Sequence, residues 1–246
     1  MELIVLGSSS TGNGYLLRAS SGEAIVIETG VSLMRLKEAN DFDISMIRGA
    51  LISHSHADHS GRIMDYLSAG IRCHASAETI EEKGLQWGHN LIPVRDQSVY
   101  HLQEFTFMPF QLEHDVRCYG YLIRHDECGQ VVFITDTLYS HYRFRGLNQI
   151  IVEANYSEAI LEDHAQRGTV IPKVRDRVIG SHMSLETCRD FLRSNDLSRV
   201  RNIILIHLSS TNSNASQFRD DIQQLTGRSV HVAKAGLRVN LNLNPF

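Results

Sequence analysis

Apolar runs of four to six residues, rich in Val, Ile and Leu, alternate along the chain with segments of helical period, and Gly or small polar residues separate them. This alternation predicts a mixed α/β architecture. Strands are expected over 3–6, 15–18, 24–27, 50–53, 105–112, 119–124, 131–135, 149–152, 202–206 and 230–233. Pro109 interrupts the fifth of these, which predicts an edge strand or a bulge there. Helices are expected over 32–40, 62–69, 76–83, 157–167, 184–194 and 216–226. Four open on a serine, at Ser76, Ser157, Ser184 and Ser216, with an acid soon after, and Gly168 and Gly227 follow two of the ends. In the last helix Phe218, Ile222 and Leu225 fall on one face, which predicts that this face is buried. No long linker, low-complexity tract or short repeat intervenes, and residues 1–246 read as one domain.

Five of the apolar runs lead straight into a charged or metal-capable residue: Glu28, His54, Asp136, Glu153 and His207. A buried strand fixes its own direction, so residues just past several strand ends can gather along one edge of a sheet, where open α/β sheets bind their ligands.

Composition narrows the classes. Four cysteines, Cys73, Cys118, Cys128 and Cys188, match no zinc-finger or secreted disulfide spacing and read as buried thiols. No apolar stretch approaches the ~18 residues of a membrane span. The N-terminal seven residues read as a first strand rather than a signal peptide. A cytoplasmic protein without membrane contact is therefore expected, and a homodimer is compatible with the chain. The formal net charge of −4 argues against a general binder of phosphate backbones. Lys173, Arg175, Arg177, Arg189, Arg193, Arg199 and Arg201 are the candidates for a local basic, substrate-facing patch. Thirteen histidines are many for a chain without a His-rich tract.

Four metal-capable side chains fall within six residues in His54-Ser55-His56-Ala57-Asp58-His59, between an expected strand and an expected helix. Imidazoles and carboxylates converging from one turn suit a borderline divalent ion such as zinc. This H-x-H-x-D-H run resembles that of the metallo-β-lactamase-fold hydrolases. The turn from Gly7 to Asn13, Glu28-Thr29-Gly30, His114-Asp115, Thr135-Asp136-Thr137, Glu153-Ala154-Asn155, Ser181-His182-Met183-Ser184 and His207-Leu208-Ser209 follow in the family's order. Within the family the chain most resembles the YycJ/WalJ-type branch of nucleases and phosphodiesterases.

The resemblance implies a four-layer αβ/βα sandwich and a site for two divalent ions, zinc first, with manganese or iron also accepted. It implies His54, His56 and His114 on the first ion, Asp58, His59 and His207 on the second, and Asp136 on both. Asp58 and His182 become the candidate catalytic residues, His182 beside the reacting phosphate. The implied activity is phosphodiester hydrolysis of a nucleic acid or nucleotide-like substrate by a metal-bridging hydroxide. Hydrolysis of a thioester, lactone or lactam at the same site is the alternative. Ser209 and Asn212 are candidate substrate contacts, against an ordinary capping loop. Glu28 and Asn155 are candidates to brace the ligands, Glu28 standing where the family usually has Asp. Asp115 is the candidate acceptor for His114. The remaining histidines, among them His74, His125 and His164, read as surface or packing residues.

Overall fold

The computed structural model describes residues 1–244. Two seven-stranded mixed sheets carry the fold. The first contains β1 (Glu2–Gly7), β2 (Gly14–Arg18), β3 (Ala24–Ile27), β4 (Ile47–Leu51), β5 (Cys73–Ser76), β6 (Leu91–Val94) and β14 (Arg238–Asn240), in the order β14-β1-β2-β3-β4-β5-β6. The second contains β7 (Tyr100–Leu102), β8 (Phe105–Leu112), β9 (Cys118–His125), β10 (Gly129–Ile134), β11 (Gln149–Glu153), β12 (Asn202–Ile206) and β13 (Ser229–Val232), in the order β13-β12-β11-β10-β9-β8-β7. In each sheet an antiparallel half adjoins a parallel half. β3 to β6 are parallel in one and β10 to β13 in the other.

Side-chain alternation builds the layers. Along β12, Ile204 and Ile206 join the core between the sheets, while Ile203 and Leu205 face the helices outside. A strand buried on both faces must be apolar at every position, which accounts for the unbroken Ile-Ile-Leu-Ile run. The inner core packs Leu3, Tyr15, Ile25 and Leu51 of the first sheet against Phe107, Tyr121, Phe133 and Ile151 of the second. Outside the first sheet lie α1 (Leu33–Ala39), α3 (Ile63–Ser68) and α4 (Ala77–Glu82), which bury Leu36, Ile63, Tyr66 and Ile80. Outside the second lie α7 (Leu185–Ser194) and α8 (Ala215–Thr226), which bury Cys188, Phe191, Phe218 and Ile222. The result is the expected αβ/βα sandwich.

Ser76 and Ser184 accept from Thr79 N–H and Thr187 N–H and cap α4 and α7. The other two expected serine caps differ. Ser157 makes no capping bond, and α8 starts one residue early because Asn214 supplies the cap and accepts from Gln217 N–H. Pro109 lies on β8 beyond its pairing with β7, so it occupies the stretch where β8 has become the edge. Four short strands (β5, β6, β7 and β14), the one-turn helix α2 (Ala57–Ser60) and α6 (Pro172–Ser181) were not expected. Pro172 at the first turn of α6 was the available signal. All four cysteines are buried and free, and no helix of the described residues is long and apolar enough to cross a membrane.

Candidate metal centre

The metal-capable residues converge where the parallel strands of both sheets end. His54 follows β4, Asp136 follows β10, Glu153 ends β11 and His207 follows β12. His56 precedes α2, and Asp58 and His59 lie within it. Glu28, Asp136 and His207 have positive φ of 70°, 45° and 56°, a conformation that L-residues with side chains seldom adopt. Three positive-φ residues thus stand within two positions of three strand ends, and such strain is characteristic of functional sites.

The α2 turn is held by backbone. Asn13 N–H donates to Asp58 O at 2.7 Å and Thr29 N–H to His59 O at 2.7 Å, while Gly30 N–H donates to Asn13 O at 3.0 Å. A Cβ on Gly30 would lie 1.7 Å from Asp58 O, so only glycine fits. Tyr121 Oη donates to Ile52 O at 2.6 Å and Tyr119 N–H to Ser53 O at 3.0 Å, tying the second sheet to the loop that carries His54.

Three groups of donor atoms result: His54, His56, His114 and Asp136; Asp58, His59 and His207; and Asp136, Glu153, His182 and His207, with the atoms of each group within 4.8 Å of one another. Asp58 Oδ2 lies 3.2 Å from His59 Nε2 and 3.1 Å from His207 Nε2. Asp136 Oδ1 lies 3.3 Å from His59 Nε2, and Oδ2 lies 3.8 Å from His54 Nε2. All seven expected ligands are therefore brought together, and Asp136 stands between the two sets.

Neighbouring acceptors fix the rings. Ser181 O accepts from His114 Nδ1 at 3.1 Å, and Glu153 Oε1 accepts from His207 Nδ1 at 3.0 Å and His182 Nδ1 at 2.8 Å. Carbonyl and carboxylate oxygens only accept, so Nδ1 of each ring carries a proton, and in His114 and His207 Nε2 is the atom left to meet a cation. Glu153 Oε2 also accepts from Met183 N–H at 3.1 Å and Thr137 N–H at 3.3 Å. One fully buried carboxylate thus joins the segments carrying Asp136, His182 and His207. Glu28 sits 3.4 Å from His59 Nδ1 and accepts from Ser53 N–H at 3.3 Å. Asn155 donates to His207 O at 2.7 Å. Asn13, not among the sequence candidates, donates to Asp58 Oδ2 at 3.2 Å; the turn around Gly12 was its signal.

Asp115 approaches the Nε2 atoms of His114 and His56, at 3.0 and 3.3 Å, rather than His114 Nδ1, because Ser181 O already takes that proton. Ser209 is engaged within its own loop, and Asn212 with that loop and a neighbouring helix. Ser209 Oγ accepts from Asn212 N–H, and buried Asn212 bonds His164 at 3.0 Å. The basic residues do not form one patch. Arg175 and Arg193 pair with Glu162 and Asp190, and Arg199 and Arg201 precede β12 at the end opposite His207.

Four carboxylates, Glu28, Asp58, Asp136 and Glu153, sit among imidazoles, three of the four fully or almost fully buried. Burial alone would raise the Asp136 pKa, but His207, His59, His54 and His182 hold it well below the usual range. Burial opposes charge on His207, yet Asp136, Asp58 and Glu153 lift its pKa to about 10. His54 goes the other way. Burial and then His59 lower its pKa, so it stays neutral, and its buried Nε2 has no hydrogen-bond partner. A buried orphan lone pair facing an excess of anionic charge fits a divalent cation.

The same architecture recurs in solved structures. The metallo-beta-lactamase fold protein YhfI from Bacillus subtilis superposes with a TM-score of 0.72 at 16% identity, over 97% of this chain and 98% of that one. Human tRNase Z, short form, gives 0.63 at 15%, over 99% and 100%. A diphosphatase of the PhnP family gives 0.67 at 15%, over 97% and 96%. No curated protein matches the chain in sequence. The family model of the metallo-beta-lactamase superfamily matches residues 9–216, and with its ordered strand ends and His/Asp clusters the chain belongs to that superfamily of metal-binding hydrolases.

Proposed function

We propose that the chain hydrolyses phosphodiesters with two divalent ions, zinc before manganese or iron. His54, His56 and His114 hold one ion, Asp58, His59 and His207 hold the other, and Asp136 reaches both. When bound, the ions supply a water acidified towards neutrality and positive charge against the phosphoryl oxygens. His182 carries the reading. Its Nδ1 donates to Glu153, it is half-buried at the cluster's rim, and Nδ1 lies 3.8 Å from Asp136 Oδ2. Burial works against its protonation, Glu153 and Asp136 raise its pKa, and with Nδ1 committed to Glu153 the ring has Nε2 left to give a proton to the leaving group. A phosphodiester needs such a donor for its alkoxide leaving group. Glu153 keeps the ring aimed, and Asp58 orients His59 and His207. Two structural neighbours, named a tRNase and a diphosphatase, act on phosphate-bearing substrates, which supports a substrate of that broad class.

The test is hydrolysis of bis(p-nitrophenyl) phosphate by metal-loaded protein. Asp136→Ala is expected to lose at least about 10³-fold in kcat together with bound metal, and His182→Ala about 10²–10⁴-fold on an alkyl diester such as a dinucleoside phosphate, with metal retained, but far less on bis(p-nitrophenyl) phosphate, whose p-nitrophenolate leaves without a proton donor. Full activity of metal-analysed Asp136→Ala, or turnover of a thioester or lactone with none of the diester, overturns the proposal.

A further inference from the structure

The second sheet has a cleft at its other edge. β10 runs from Gly129 towards Asp136, so the two ends of the parallel strands lie roughly 20 Å apart. At the end away from the metal centre, the entries to β10, β11, β12 and β13 enclose about 800 Å³. Four arginines line it: Arg124 from β9, Arg199 and Arg201 from the segment leading into β12, and Arg228 from the residue before β13.

Their concentration is unusual for a chain of net charge −4. Ion pairs among the described residues engage Arg18, Arg48, Arg117, Arg167, Arg175, Arg193, Arg219 and Arg238, and none of these four. Asp126 is the one acid among the described lining residues, and the nearby Asp196, which accepts from Ser198 N–H at 2.9 Å, stays charged and faces Arg199 and Arg228. The Nε of Arg228 is buried and has no hydrogen-bond partner. Guanidinium groups that line a cleft without a carboxylate partner attract an anionic oxygen entering it.

The lining also excludes some ligands. Among the described residues no Phe, Tyr or Trp lines the cleft, so those residues offer a nucleobase nothing to stack on. Arginine forks match phosphate oxygens in pairs. The strands from β9 to β13 span about 19 Å at roughly 4.8 Å each, so the four charges are laid out for more than one anionic group.

We propose that this cleft binds a run of phosphate groups, as in a linear oligophosphate or the backbone of a phosphodiester chain, at a site separate from the metal centre. The proposal does not depend on which bond the metal centre cleaves.

Calorimetric titration of metal-loaded protein with sodium tripolyphosphate, at about 50 and 200 mM salt, tests it. Arg199→Gln/Arg228→Gln is expected to bind one triphosphate fewer per chain than wild type, or to bind it at least tenfold more weakly, with hydrolysis of bis(p-nitrophenyl) phosphate unchanged. Affinity at this site should fall steeply with salt in wild type. A phosphorothioate 12-mer forms the second arm. Competition between it and tripolyphosphate identifies a phosphodiester backbone as the ligand, whereas binding of tripolyphosphate alone identifies a free oligophosphate. If circular dichroism shows the double variant unfolded, exposed Arg124→Gln must give the same loss in smaller measure. Isotherms identical to wild type in a folded variant overturn the proposal.

Discussion

Glu153 and His74 show how differently burial treats two side chains that the sequence does not distinguish as ligands. Glu153 is fully buried but bonded on both oxygens, so Glu153→Gln keeps its shape while removing the charge and leaving one acceptor oxygen where four N–H groups converge. A fall of about 10–100-fold in kcat with the unfolding midpoint little changed is the expected result of steady-state kinetics and thermal melts. His74 sits 5.4 Å from the Phe107 ring in the core, with its Nδ1 unpartnered. Burial, assisted by Arg72, pushes its pKa down to about 4. The unfolded chain takes that proton near pH 6.5 and the folded chain does not. The contribution to stability is therefore complete above pH 6.5 and is lost as the pH falls towards 4. Between pH 7 and 5 it amounts to about 2 kcal/mol. Urea unfolding of wild type and His74→Leu at both pH values should show the variant losing less stability by about that amount, and equal losses would refute the assignment.

At the scale of the element, capping and turn chemistry decide which predicted ends are real. Ser76 Oγ accepts from Thr79 N–H at 2.9 Å, whereas Ser157 bonds no N–H of its helix. Ser76→Ala should cost about 1 kcal/mol and Ser157→Ala under about 0.5 kcal/mol, read as midpoint shifts in thermal unfolding. The turn at Gly30 is stricter. Gly30→Ala forces Cβ into Asp58 O, so the α2 turn must move. About 2–4 kcal/mol of lost stability and a measurable drop in bound metal are expected by unfolding and metal analysis. The unexpected strands β5, β6, β7 and β14 are three or four residues long and carry polar positions such as His74 and Ser76. Too short to show a period, they are strands only because a neighbour pairs with them.

At the scale of the whole molecule, the two sheets meet along the edge where their parallel strands end, and the donor set exists only while they stay packed. Metal binding and folding are therefore linked. Chelation should lower the thermal midpoint of wild type but scarcely that of Asp136→Ala, with each 1 kcal/mol of binding linkage shifting it by about 2–4 °C. An unchanged wild-type midpoint would mean that the cluster binds no metal tightly. The sequence by itself determined the apolar strands, their order, the H-x-H-x-D-H run and the strand ends at Glu28, Asp136, Glu153 and His207, because hydrophobic period and local motif are carried by neighbouring residues. The tertiary structure decided what depends on distant ones. Glu153 became the carboxylate that joins two histidines, Asn13 reached Asp58 across 45 residues, Asp115 was turned away from His114 Nδ1 by Ser181 O, and Arg199 and Arg201 were carried to the far edge with Arg124 and Arg228. Spacing along a chain cannot report which carbonyl takes a proton or which distant arginines share a cleft, because sheet packing sets both.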